Sequence, residues 1–361
     1  MEGDLIHINH WLCPLSWCYG VGVAARNMLF DCGVLHEHEY DLPVICIGNI
    51  SVGGTGKTPH TEYLLKMLLP KYRVAVLSRG YKRKSRGYLL STDKTSVDAI
   101  GDEPWQMKHK FPSAIVAVDA NRRHGISRLM TDEATRDLQV ILLDDAFQHR
   151  YVKAGLNIVL VDYHRLVTYD KLLPAGRLRE PVSSLVRANI VIVTKCPANM
   201  TPMEFRVVRN NLNLRPYQQL FFSTFRYGNL RPLFETSDGN SQQLTSDTHV
   251  LLLTGIASPE QMKMDLQRTT RHITPLFFGD HHSFTRSDIE RIEREFTAMQ
   301  GSKRLIVTTE KDGSRLLNSS GLSTIVRRHT YVLPIDVEIM QDQEAQFRTM
   351  VLDFIKDMQK T

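Results

Sequence analysis

The sequence has little cysteine and none of it in a pattern. Its 361 residues contain five, at Cys13, Cys18, Cys32, Cys46 and Cys196. The number is odd and no C-x-x-C pair occurs, which argues against a disulfide framework and a zinc site and for a reducing compartment. A long hydrophobic run is also missing. The most apolar stretch, residues 8–30, is interrupted by Pro14 and Ser16, and its unbroken part stops at Arg26. That is short of the roughly 20 apolar residues a membrane-spanning helix needs. Glu2 and Asp4 stand where a secretory signal would carry basic residues, so no such signal is expected. Acid is absent between Lys71 and Tyr88, which carries Lys71, Arg73, Arg79, Lys82, Arg83, Lys84 and Arg86. The run favours anionic partners such as a nucleotide, a phosphorylated substrate or a membrane surface. Only Tyr72, Tyr81 and Tyr88 interleave with it, too few stacking rings for a nucleic-acid site. No repeat and no low-complexity tract is found.

What is present reads as a globular α/β chain. Hydrophobic content of 42% and charged content of 23% are ordinary, and the length suits a large domain plus a smaller one. The organising stretch is Val44 to Pro59, VICIGNISVGGTGKTP. An apolar strand, Val44 to Ile47, runs into a glycine-rich turn of Ser51, Val52, Gly53, Gly54, Thr55, Gly56, Lys57 and Thr58, and a helix is predicted from His60 to Leu69. Strand, glycine turn, Lys-Thr and helix make a phosphate-binding P-loop, with Ser51 at the usual first glycine. Backbone N–H groups and the helix N-terminus would cradle phosphate, Lys57 would reach the terminal phosphates, and Thr58 would hold Mg²⁺.

Further strands follow, each ending in polar residues at what would be the ligand edge of a parallel sheet. Arg73 to Leu77 ends in Ser78-Arg79-Gly80-Tyr81, and Ile115 to Val118 leads to Asp119, Asn121, Arg122, Arg123 and His124. Val140 to Leu143 ends in Asp144-Asp145-Ala146-Phe147-Gln148-His149-Arg150, the Walker B arrangement in which a carboxylate holds Mg²⁺. Ile158 to Val161 and Ile190 to Val193 complete the set, the latter ending in Thr194-Lys195 at a base or phosphate edge. Asp102 and Glu103 lie on a turn between Gly101 and Pro104. They read either as a helix cap or as a general base for a substrate hydroxyl. The aromatic stretch at 8–30, with Trp11, Trp17, Tyr19 and Phe30, reads either as an in-plane interfacial helix or as a core-packed one. Gln219 to Tyr227 and Leu230 to Leu233 read as extended linker strands, and Glu344 to Met358 as a final amphipathic helix. No N-K-x-D guanine-reading motif occurs, which disfavours the alternative of a GTPase or ATPase switch without a hydroxyl acceptor.

The segments GNISVGGTGKTP, LSRGY, GDEP, LLDDAFQH, LLPAGRLREP, VTK and GDHHSFT, in this order, resemble the tetraacyldisaccharide 4′-kinases of lipid A biosynthesis. Two positions depart from the family pattern: Ala146 stands for a glycine and Arg177 for a proline. The resemblance implies a P-loop α/β/α sandwich, a second, smaller α/β domain and a two-stranded linker. The expected boundaries are 1–40 for an N-terminal apolar segment, 41–218 for the kinase domain, 219–247 for the linker and 248–361 for the C-terminal domain. It implies transfer of the γ-phosphate of ATP, with Mg²⁺, to the 4′-hydroxyl of an acylated glucosamine disaccharide 1-phosphate at the inner face of the inner membrane, with no nucleic acid and no obligate protein partner. Asp102 would be the base, paired with His281 of the DHH segment, and Lys57 and Arg79 would act on the transferred group. Thr58, Asp144, Asp145 and Glu103 are the metal candidates. Arg122, Gln148, His149, Arg177 and Arg179 are the substrate candidates.

Overall fold

The computed structural model describes residues 8–235, 242–256, 259–280, 282–317, 319 and 321–360. Two compact units divide it. The first holds residues 1–95, 107–225 and 337–361; the second holds 96–106 and 226–336.

The strands in chain order are β1 (Val44–Gly48), β2 (Val74–Ser78), β3 (Leu89–Leu90), β4 (Ile115–Val118), β5 (Val140–Asp144), β6 (Leu156–Asp162), β7 (Ile190–Thr194), β8 (Gln219–Tyr227), β9 (Arg231–Pro232), β10 (His249–Thr254), β11 (His272–Phe277), β12 (Arg304–Thr309), β13 (Thr330–Leu333) and β14 (Ile335–Ile339). In the first unit they form a nine-stranded sheet ordered β14-β8-β7-β6-β1-β5-β2-β4-β3. The pairings from β8 to β4 are parallel, and β3 is antiparallel to β4. Its central strands read as unbroken apolar runs because both faces are covered. Val44 and Cys46 face one core with Ile126, Leu129, Val208 and Leu212. Ile45 and Ile47 face another with Leu64, Leu65, Leu68, Phe347, Val351 and Ile355. Helices thus cover both sides, giving the expected three-layer sandwich.

In the second unit five strands are ordered β11-β10-β12-β13-β9, parallel except for β9. Leu251 and Leu253 pack on Ile289, Ile292 and Phe296, while Val250 and Leu252 pack on Met262 and Leu266.

Three features differ from the sequence reading. The helix Glu344–Lys360 belongs to the first unit, where its buried Phe347, Val351 and Ile355 complete a core; residues 248–361 are therefore not one body. The strand 219–227 does not pair with 230–233. Its sheet neighbours are β7 and β14, the latter more than a hundred residues later, and the chain passes between the units within β8 and β14, after Phe225 and after Asp336. Asp102 and Glu103 belong to the second unit, not to the body holding the P-loop. Each difference rests on long-range pairing that local pattern does not encode.

Residues 8–30 hold the helix Cys13–Asp31, on which only Ser16 and Phe30 are buried. Trp11 is 92% and Trp17 73% exposed, and Leu15, Val21, Met28 and Leu29 are exposed as well. The helix is held mainly by hydrogen bonds rather than by a core face. Ser16 Oγ donates to the Leu172 carbonyl (3.0 Å) and accepts the Ala175 N–H (2.9 Å), and Tyr19 OH donates to the Arg179 carbonyl (2.8 Å). No helix among the described residues is long and apolar enough to cross a membrane.

Candidate functional site

The glycine turn follows β1 and leads into the helix Lys57–Leu68, which begins three residues earlier than the sequence suggests. Gly53 and Gly56 have φ of +117° and +86°, in the left-handed region that favours glycine. The loop is tied across its base, where Asn49 Nδ2 donates to Thr55 Oγ1 (2.8 Å). It is also clamped by the segment around Arg177. Val52 N–H donates to the Arg177 carbonyl and Arg179 N–H to the Ile50 carbonyl, both at 2.7 Å, with Ser51 and Leu178 forming an antiparallel bridge. The clamp is itself organised by Asp170, which accepts from Arg165, from Lys171 N–H (2.7 Å) and from Arg177 N–H (3.1 Å). Arg177 at the family's proline position supplies that last N–H, which a proline would lack.

Beside the loop, β5 is paired with β1 so that Asp144 lies opposite Ile47. Asp144 is buried and accepts from Ser78 Oγ at 3.2 Å. Asp145 takes the left-handed conformation, φ +48°, and meets Lys57 Nζ at 3.6 Å and Arg179 Nη1 at 3.3 Å. Burial would raise its carboxyl, but Lys57 and then Arg179 outweigh burial and hold it below the usual carboxylate range. Ala146, in place of the family's glycine, is not at positive φ; the strained residue of this turn is Asp145.

The remaining substrate candidates of this unit fall into two groups. Gln148 is structural at least in part: its amide donates to the Asn49 carbonyl, and its own carbonyl accepts from Arg26. Arg122 is buried and donates to the carbonyls of Asp119 and Asp144, the latter at 3.2 Å. Burial pulls its guanidinium down to about 10, against the attraction of Asp144 and Asp145. His149 is pushed down to about 4 by burial and then by Arg122, Arg26, Arg79 and Arg123. Four arginines therefore bear on one neutral imidazole, whose Nε2 is buried without a hydrogen-bond partner among the described residues. That arrangement suits an anion. Arg79, at the end of β2, and Arg177 are exposed.

In the second unit Asp102 and Glu103 open the helix Asp102–Lys110. Arg315 donates to Asp102 through Nε (3.1 Å) and Nη2, and through Nη1 to Asp312 (2.9 Å). Asp312 is fully buried and also accepts from Thr254 Oγ1, Gly255 N–H and Thr309 Oγ1. Lys311, one turn before Arg315, meets Glu103 at 3.0 Å and Asp280 at 3.6 Å. Burial would lower its ammonium, but Glu103, Asp102 and Asp280 raise it. The short helix Glu310–Leu317 thus presents two cations to the two acids of the GDEP turn. No motif in the sequence assigns Lys311 or Arg315 a role. His281 lies outside the described residues. His282 is committed elsewhere, with Nε2 2.9 Å from Asp288 Oδ2. Glu103 is the metal candidate of this unit. Among the described residues no cluster of three or more His, Cys, Asp or Glu could hold a metal ion alone.

Comparison with known proteins adds the following. A sequence model of the family described as tetraacyldisaccharide-1-P 4′-kinase, LpxK, matches residues 8–356. The chain is 53% identical over 357 residues to the tetraacyldisaccharide 4′-kinase of Phocaeicola vulgatus, covering 99% of this chain and 98% of that one. It is 50% identical over 365 residues to that of Bacteroides thetaiotaomicron, covering 99% and 96%. The crystal structure of LpxK from Aquifex aeolicus in complex with ATP superposes with a TM-score of 0.72 at 26% identity, covering 96% of this chain and 99% of that one.

Proposed function

The chain belongs to the tetraacyldisaccharide-1-P 4′-kinase family, and from that premise we propose that it transfers the γ-phosphoryl group of ATP to the 4′-hydroxyl of a tetraacyldisaccharide 1-phosphate. The observation that carries the reading is the P-loop turn with Lys57 resting on Asp145. A carboxylate holding the loop lysine stands where an anionic phosphoryl group would compete for the same cation. On binding, Lys57 exchanges Asp145 for the terminal phosphates, and the Gly53–Thr58 amides at the helix N-terminus hold the others.

Thr58, at the second position of its helix, and Asp144, beside β1, supply hard oxygen donors, the set that Mg²⁺ takes when substrate phosphates complete its shell. Bound there, Mg²⁺ would neutralise charge on the β- and γ-oxygens. Arg79 and Arg122 form the cationic neighbourhood for the transferred group or the 1-phosphate of the acceptor, with the neutral His149 as a hydrogen-bonding group beside them, and Arg177 and Arg179 flank the loop. Asp102, in the first turn of its helix and oriented by His281, accepts the 4′-hydroxyl proton. Arg315 fixes the Asp102 carboxylate by donating to it from two guanidinium nitrogens.

The exposed face of the helix Cys13–Asp31 with its Trp17, and the exposed Trp11 in the turn just before it, support a peripheral seat on the inner face of the inner membrane. An acylated acceptor resides in such a surface. The test is ATP turnover with and without tetraacyldisaccharide 1-phosphate, with the product's added phosphate located by NMR. Turnover should depend on the acceptor and yield the 4′-phosphate. Equal ADP release without acceptor would favour a nucleotide switch.

A further inference from the structure

His60 lies one turn into the helix that follows the glycine loop and is 2% exposed. Its Nδ1 is 2.7 Å from the Gly56 carbonyl oxygen, which also accepts the His60 main-chain N–H at 3.2 Å. A carbonyl can only accept, so Nδ1 carries the proton. Nε2 is 2.9 Å from Ser223 Oγ on β8. With Nδ1 as the donor to Gly56, Nε2 is the ring's acceptor and takes the Ser223 hydroxyl. Ser223 is fully buried, and its carbonyl accepts the Cys196 N–H at 2.9 Å. Two residues before Cys196, Thr194 Oγ1 donates to the Thr55 carbonyl at 2.8 Å. Two consecutive carbonyls of the loop are thus each held by a buried side chain.

We propose that His60 and Ser223 are positioning residues for phosphoryl transfer, aiming the Lys57 N–H into the phosphate cradle by fixing the Gly56 carbonyl. The peptide unit is planar and trans, so the Gly56 C=O and the Lys57 N–H point in opposite directions and one fixes the other. A hydrogen bond to the carbonyl also polarises that N–H as a donor. The inference rests on reading residues 51–58 as the phosphate cradle.

Amide replacements separate its parts. In His60→Asn the amide nitrogen stands near the place of Nδ1 and keeps the bond to Gly56. In His60→Gln the amide stands near Nε2 and keeps Ser223 while losing Gly56. With ATP and acylated disaccharide phosphate, His60→Gln should lose about 10- to 100-fold in kcat with a smaller change in KM for ATP, the loss expected for misaiming one transition-state donor. His60→Asn, which keeps the Gly56 bond but loses Ser223, should lose no more than the several-fold in kcat expected of Ser223→Ala, at a similar melting temperature. Equal losses in both, or losses that track the melting temperature, would overturn the proposal. If neither variant folds, Ser223→Ala decides: a folded protein with undiminished kcat refutes the assignment, and a several-fold kcat loss upholds it. Lys57→Ala is run alongside. Full turnover in that variant would sink the cradle reading itself, whereas collapse of Lys57→Ala beside a fully active His60→Gln would remove only the positioning role.

Discussion

Replacing Arg315 by Met tests whether the GDEP turn is held as the second unit suggests. Arg315 and Asp102 each retain about 9% of their side-chain exposure, and Asp312 retains none. The substitution strands two carboxylates that together had three bonds from one guanidinium. Removing one partner of a buried ion pair costs about 3–5 kcal/mol, mainly because the other charge stays buried and uncompensated. Asp312 keeps its bonds from Thr254, Gly255 and Thr309, so the lower end, about 3 kcal/mol, is expected. For a unit of this size that is a melting shift of about 10 °C. The chain has three tryptophans, and Trp105 alone belongs to the second unit. In a Trp11→Phe, Trp17→Phe background its fluorescence reports that unit's transition in urea or on heating. Adding Asp312→Asn to Arg315→Met removes the stranded charge, so the double variant should be less destabilised than the sum of the singles by about 1 kcal/mol or more. Arg315→Lys should recover only part of the loss, since an ammonium cannot serve both carboxylates with the guanidinium's fork. A Trp105 transition shifted by less than about 1 kcal/mol in Arg315→Met would refute the buried triad, as would strict additivity with Asp312→Asn.

Four further outcomes are expected. Lys57→Ala should lower kcat by about 100-fold or more, and Thr58→Ala should raise the Mg²⁺ concentration needed for half-maximal turnover; near-normal kcat in the former would refute the loop assignment. Trp11→Ser with Trp17→Ser should weaken co-sedimentation with anionic vesicles and raise KM for membrane-presented acceptor while sparing a short-chain soluble analogue; unchanged sedimentation would count against the interfacial seat. In a cycle on kcat, Asp102→Ala should abolish most turnover with ATP affinity retained, His281→Ala should cost about 10- to 1,000-fold, and the double variant should be little worse than Asp102→Ala; additive losses would separate the two residues. For His149 the folded pKa, about 4, lies below the unfolded value of 6.5. The unfolded chain therefore binds the extra proton between those values, and stability should fall as pH drops from about 6.5 toward 4; His149→Gln should flatten that slope in denaturant titrations.

The sequence alone determined the order of elements and the glycine loop. Val44–Ile47, Ile115–Val118, Val140–Leu143 and Ile190–Val193 are legible as strands because a sheet buried on both faces needs unbroken apolar runs. The glycine loop is legible because positive φ at Gly53 and Gly56 leaves a chemical signature at fixed spacing. The final amphipathic helix was legible as a helix, since its period is local. Which body that helix joins was decided only by tertiary structure, because an apolar face specifies burial and not a partner. The pairing of β8 with β14, and the membership of Asp102 in the second unit, likewise depend on contacts across more than a hundred residues. The same holds for the supporting groups within each unit. His60, Asp170, Lys311 and Arg315 belong to no motif that spacing could flag. Their roles follow from where folding carries their partners: Ser223 for His60, and Glu103 and Asp102 for Lys311 and Arg315. Motif spacing flags the candidate ligand groups, whereas the groups that hold them in place are chosen by proximity in space.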